Sequence, residues 1–191
     1  MTEKQKDMVA IPSREQVESE LNRIRYRRTF LRTLLNTTAV LVVVAAVTTL
    51  ISMIFLPVIQ VSGDSMTPTL NDGDVLLTCN TDSVTYGDLC CVSWQNKMLL
   101  KRVIGMPGDT IIIEEDGSVY VNDALLDEPY VLEKSLGQCD IQFPYKVPDQ
   151  QIFILGDNRS RSADSRSADI GCISREQIVG KVLTRIWKGK K

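Results

Sequence analysis

The 191 residues include no histidine. That absence excludes the Ser-His-Asp and Cys-His arrangements, in which imidazole takes the proton of a hydroxyl or thiol. It also removes a common zinc ligand. The five cysteines (Cys79, Cys90, Cys91, Cys139, Cys172) show no C-x-x-C spacing that would replace it. Their number is odd, most read as small buried apolar residues, and no disulfide pairing follows from their spacing. No metal or cofactor is expected. Basic excess is also missing: the formal net charge is −2. Residues 1–33 hold eight Lys/Arg against five Asp/Glu, and the remainder holds fourteen against nineteen. A nucleic-acid partner needs a basic field that this balance does not provide. No period of 20–50 residues repeats.

Charge itself is absent for thirty-one residues between Arg32 and Asp64. The core of this stretch, LLNTTAVLVVVAAVTTLISMIFLPVIQ at 34–60, is long enough to cross a bilayer core, which takes about 20 apolar residues in a helix. A cleaved leader would have an apolar segment of only about 7–15 residues. Arg23, Arg25, Arg27, Arg28 and Arg32 crowd the N-terminal flank, as cytoplasmic flanks do. The expected organisation is a cytoplasmic basic arm at 1–33, a transmembrane helix at 34–59 and an extracytoplasmic domain at 60–191. Within the arm, Pro12 followed by Ser13 and Gln16 reads as a helix start with a capping box. Val17, Leu21 and Ile24 share one helical face.

After residue 60 no amphipathic helix is convincing. Short runs between turn signals read instead as strands: 74–79, 89–94, 97–104, 110–113, 118–121, 151–155 and 179–187. Asp116-Gly117 is a strong two-residue hairpin signal and Gln95-Asn96 a weaker one. The fold class is therefore mainly β: an N-terminal helix and one span, then an antiparallel, closed or folded-over sheet.

SGDSMTPTL at 62–70 places a serine among turn formers. A serine hydroxyl attacks only when a neighbouring group takes its proton. Without histidine, a neutral lysine is one remaining candidate, and burial in apolar surroundings is what keeps a lysine neutral. Most lysines beyond the span lie in polar or terminal contexts. Lys101 lies in MLLKRVI, and on a strand it shares a face with Leu99 and Val103. A strand lysine whose ammonium reaches water would look the same. Alternation does not say which face is inside, because Arg102 shares the other face with Leu100 and Ile104.

SGDSMTPTL, GDVLL (73–77), KRVIGMPGD (101–109) and GDNRSRSADSR (156–166) resemble, in order, the boxes of type I signal peptidases. Those are membrane-bound serine peptidases with a Ser/Lys dyad. The resemblance implies Ser65 as nucleophile and Lys101 as general base. It implies that the Ser162 hydroxyl orients the lysine, that Asp164 and Arg166 brace the site, and that Asp157 lies near Arg102. Gly63, Asp64, Met66 and Pro68 would flank the nucleophile and shape the substrate groove. The sequence RSAD occurs twice, at 161–164 and 166–169, and its distance from Gly156-Asp157-Asn158 selects the first copy. Gly63 stands where one branch of the family has an oxyanion-binding serine, so the likeness is to the Gram-positive-like branch. That leaves the backbone N–H of Ser65 as the surer oxyanion donor and the second donor open. The resemblance further implies removal of signal peptides from exported preproteins after an A-x-A-like pattern, with the lipid bilayer as the other partner. The competing readings are a self-cleaving LexA-like repressor and a membrane-anchored β domain that binds exported chains without cutting them. The span and the GDNRSRSADSR box argue against the first.

Overall fold

The structure is a computed structural model that describes residues 13–189. Pro12 and the first part of the basic arm therefore lie outside the described residues. The chain divides into two compact units between Ile51 and Ser52.

The first feature is one helix, α1, Arg14–Phe55. Its start is the capping box read from the sequence: Ser13 N–H donates to Gln16 Oε1 at 3.0 Å, and Gln16 N–H to Ser13 Oγ at 3.3 Å. Thr37, Thr48 and Thr49 return their hydroxyls to carbonyls four residues back, which hides polar groups inside an apolar helix. No residue of α1 is buried by protein. Beyond Arg32 the helix carries no charge and is uncovered, which suits a bilayer, and it is long and apolar enough to cross one. It is compatible with membrane anchoring. It ends at Phe55, short of the expected boundary at residue 59, because Val58–Gln60 is already a strand.

The second unit is antiparallel β. Its strands are β1 (Val58–Gln60), β2 (Val75–Cys79), β3 (Leu89–Trp94), β4 (Lys97–Gly105), β5 (Thr110–Ile113), β6 (Val119–Val121), β7 (Ala124–Leu125), β8 (Tyr145–Lys146), β9 (Gln151–Leu155), β10 (Ile173–Ser174) and β11 (Ile178–Trp187). A seven-stranded sheet has the order β1-β2-β11-β3-β4-β9-β10, and a four-stranded sheet the order β7-β6-β5-β8. The expected strands all appear, while β1, β7, β8 and β10 had no signal long enough to read.

The two hairpin signals exchange rank. Gln95 and Asn96 both adopt positive φ, and Trp94 pairs with Lys97, so the weaker signal makes the two-residue turn. Asp116-Gly117 lies in a five-residue connection, since Ile113 pairs with Val119. Only Gly117 takes positive φ there. Asp116 instead uses its carboxylate to accept the Ser118 N–H at 2.8 Å, a local bond that a type I′ turn would not leave in place.

Strand β4 is buried without interruption from Lys101 to Gly105. Leu99 and Val103 pack into a cluster with Cys90, Val92, Ile152, Ile154 and Ile173. On the other face, Leu100 joins Val61, Met66, Leu70 and Leu76, and Ile104 joins Ile111, Phe153 and Leu155. Both faces of the strand are covered, which is why alternation in the sequence could not choose between them.

Candidate active site

Ser65 sits on the turn that joins β1 to β2. The turn is closed by its own backbone: Thr67 N–H donates to Asp64 O at 3.2 Å, and Leu70 N–H to Met66 O at 2.9 Å. Met66, 1% exposed, anchors the turn in the apolar cluster below it. A second loop clamps it from above. Asn158 donates its N–H to Ser65 O at 3.0 Å and its side-chain amide to Asp64 O at 3.1 Å.

Lys101 Nζ and Ser65 Oγ are hydrogen-bonded, 2.8 Å apart. The lysine is only 3% exposed. Burial drives its pKa below the ordinary value, and Arg166 adds to that, while Asp164 and Asp157 oppose it. Its cross-strand neighbour is Cys90, a thiol pushed up to about 12 by burial. Such a thiol stays neutral, so the lysine faces an apolar wall on that side.

Charged residues behind the dyad are paired. Arg102 donates through Nε to Asp157 Oδ1 at 2.8 Å and through Nη1 to Gly87 O at 2.8 Å. Its second bond to Asp157 closes a fork. The Tyr130 ring covers the guanidinium, 3.8 Å from centroid to Cζ. Arg166 is fully buried and donates to both Asp164 oxygens at 2.8 Å. Asp164 in turn accepts the Gly156 N–H at 3.0 Å. Of the two RSAD copies, the first carries buried Asp164 and the second exposed Asp169.

Ser162 differs from expectation. Its hydroxyl is buried and, among the described residues, has no hydrogen-bond partner, Lys101 included. The lysine's contact is with Ser65 instead. The backbone of Gly156 packs against both serines: a Cβ there would lie 2.5 Å from Ser162 Cβ and 2.6 Å from Ser65 O. Gly156→Ala should therefore lower kcat/KM on the order of 10²-fold by moving the nucleophile, with the folded state retained. Peptide cleavage by the purified variant checks this, and unchanged kinetics would contradict it.

A depression of about 400 Å³ opens beside the dyad, lined by Ile59, Val61, Ser65, Met66, Leu99 and Lys101 among others. Gly63, Asp64 and Pro68 do not line it, and all three are exposed. Gly63 takes φ +92° and gives its N–H to Asp72 Oδ1 at 2.8 Å. That N–H is thus committed and does not offer a second oxyanion donor, whereas the Ser65 N–H has no backbone acceptor among the described residues. All five cysteines are free thiols. Among the described residues no three His, Cys, Asp or Glu side chains gather where they could share a metal ion.

Sequence reading missed one buried pair and part of a network. Arg159 donates to both Glu128 oxygens, and both side chains are about 1% exposed. Thr69 donates to Asp157. Arg159 lay within the GDNRSRSADSR box, but nothing marked Glu128, thirty-one positions away.

The family described as signal peptidase, peptidase S26, matches residues 33–187. Signal peptidase I of Bacillus amyloliquefaciens is 33% identical over 153 residues, 74% of this chain and 81% of that protein. Signal peptidase I S of Bacillus subtilis (strain 168) is 35% identical over 155 residues, 73% of this chain and 82% of that protein. A crystal structure of a signal peptidase I from Enterococcus faecalis V583 is similar with a TM-score of 0.45 and 28% identity, over 55% of this chain and 99% of that one. The Bacillus relatives agree with the branch suggested by Gly63. Because the family match takes in most of the sequence, the chain belongs to the signal peptidase family, peptidase S26, and is a peptidase.

Proposed function

We propose that this chain is a membrane-bound serine endopeptidase that removes N-terminal signal peptides from exported preproteins after an A-x-A-like pattern. Ser65 is the nucleophile and Lys101 the general base. The observation that carries this reading is the buried 2.8 Å contact between Lys101 Nζ and Ser65 Oγ in a chain without histidine.

Neutral Lys101 takes the Ser65 proton as Oγ attacks the scissile carbonyl. The Ser65 N–H stabilises the oxyanion, the kind of interaction that usually contributes most to such catalysis. Protonated Lys101 then gives its proton to the leaving amine. Water, activated by the same lysine, releases the acyl-enzyme. Asp157–Arg102 and Asp164–Arg166 hold the strand and loop on either side of the dyad. Ser162 orients Lys101 once substrate excludes water, when catalytic hydrogen bonds tighten. The leader's small side chains occupy the apolar depression, where an extended chain can lie beside strand edges.

Incubation of the detergent-solubilised chain with a preprotein tests the reading; a shortened product is expected, and an intact preprotein would refute it. The pH profile tests the base. The lysine's neutral fraction falls tenfold per pH unit below its pKa, so log kcat/KM rises with slope one and then levels. Because burial lowers that pKa, levelling comes below about pH 10.4, the ordinary lysine value. Ser162→Ala should lower the plateau on the order of 10²-fold through a misplaced lysine. A wild-type rate that keeps climbing tenfold per pH unit to about pH 10, as an unperturbed lysine demands, would remove the buried lysine from the mechanism.

Residues 1–33 are cytoplasmic and 60–191 extracytoplasmic in this proposal, because the arginines flank α1 on one side. Protease added to wall-stripped cells should digest the β unit and spare the arm. Digestion of the arm from outside would reverse the orientation.

A further inference from the structure

A second depression, about 300 Å³, borders the nucleophile turn at Thr67 and shares no lining residue with the first. Thr67, Leu132, Glu133, Asp157, Asn158, Ser160 and Arg161 line it. Two features tie it to Ser65. Thr67 is two residues beyond the nucleophile on the same turn. Asn158, in the opposite wall, is the residue whose N–H holds Ser65 O. A chain lying across Ser65, with its leader in the apolar depression, has to leave past this wall.

The two depressions differ in chemistry. The leader side is lined by Ile59, Val61, Met66 and Leu99. The second is lined by charged and polar groups, and most of its charges are spent. Asp157 is 1% exposed and forked to Arg102. Arg161 is paired with Asp64 at 2.8 Å across the rim. Glu133 is exposed, and among the described residues it has no ion-pair partner. The uncompensated charge of the rim is therefore one carboxylate, beside the exposed apolar side chain of Leu132.

We propose that this depression receives the first residues after the scissile bond, and that Glu133 makes it prefer a lysine or arginine there over a carboxylate. The inference rests on the proposed cleavage reaction and extends it to the mature side of the substrate. A long cationic side chain suits the site in two ways: its methylenes lie on Leu132 while its charge reaches Glu133. An acidic side chain meets Glu133 as a like charge. The Arg161 guanidinium is already engaged by Asp64 and offers the acidic chain less. Because the rim is exposed, the selectivity is modest and is screened by salt.

The test is competitive cleavage of peptides that share one Ala-x-Ala leader and differ only by Lys or Glu at the first, second or third residue after the cut. The solubilised full chain should favour Lys at one of these positions about two- to five-fold, the scale of an exposed ion pair. That ratio should shrink in 0.5 M salt, vanish in Glu133→Gln and invert in Glu133→Lys. Equal cleavage of the Lys and Glu peptides by the wild type would overturn the proposal. So would a preference that survives unchanged in Glu133→Lys. Failure to cut any of the peptides would remove the cleavage reading itself, and this inference with it.

Discussion

Lys101→Arg and Lys101→Met will each lower kcat/KM on a leader peptide by about 10⁴-fold, the upper end for loss of a general acid–base group. The size follows from the double duty of Nζ, which takes the Ser65 proton and later protonates the leaving amine. No other group stands in, because the chain has no histidine. Arginine keeps the charge but does not release its proton in the working range. Ser65→Ala should be as severe, and the double variant Ser65→Ala/Lys101→Met no worse than either alone, because the two act as a unit. Stability should move the other way. Burial lowers the lysine's pKa in the folded chain, so the unfolded chain binds the proton more tightly. Below the ordinary lysine pKa the buried lysine therefore costs stability, and methionine of similar shape removes that cost. Lys101→Met should raise Tm at pH 7 while activity is lost. A Lys101→Met protein that still processes at neutral pH would end the dyad mechanism. A lower Tm would contradict the desolvation argument.

The second large effect is structural. Arg166→Leu should destabilise the β unit by about 3–5 kcal/mol, the usual result of leaving one member of a buried pair behind. Arg166 is fully buried, and besides both Asp164 oxygens it serves the carbonyls of Leu136 at 2.6 Å and Ser135 at 3.3 Å. Those carbonyls belong to the 127–140 segment, so one guanidinium joins that segment to the loop carrying Ser162 and Asp164. Leucine fills the volume and strands the Asp164 carboxylate. Asp164→Asn combined with Arg166→Leu should recover part of the loss, because the amide needs no counter-charge and still accepts the Gly156 N–H. Urea denaturation of the three variants separates these contributions. A single-variant loss below about 1 kcal/mol would place Arg166 among the weakly contributing pairs.

The separate motifs of the candidate site were legible because each is local in sequence, although Ser65 and Lys101 lie thirty-six positions apart. SGDSMTPTL marks a serine on a turn, the thirty-one uncharged residues mark a span, and the missing histidine turns attention to lysine. The capping box at Ser13 and Gln16 is equally local, two hydrogen bonds within one helical turn. Hairpin rank was less legible. Gln95-Asn96 and Asp116-Gly117 differ in turn propensity, yet the strands' register decided which of them closed in two residues.

By itself the sequence determined the apolar helix, the predominance of strands and the residue types able to activate a hydroxyl. Each depends on neighbours a few positions apart, where periodicity and turn chemistry act. Only the tertiary structure decided which face of β4 is buried, and the answer was both, because separate apolar clusters pack on its two sides. It also decided the partners of the buried charges. The resemblance had already placed Asp157 near Arg102, but nothing had placed Glu128 beside Arg159, thirty-one positions away. A charge taken out of water must be matched by whatever the packing brings beside it, and no pattern along the chain encodes that meeting.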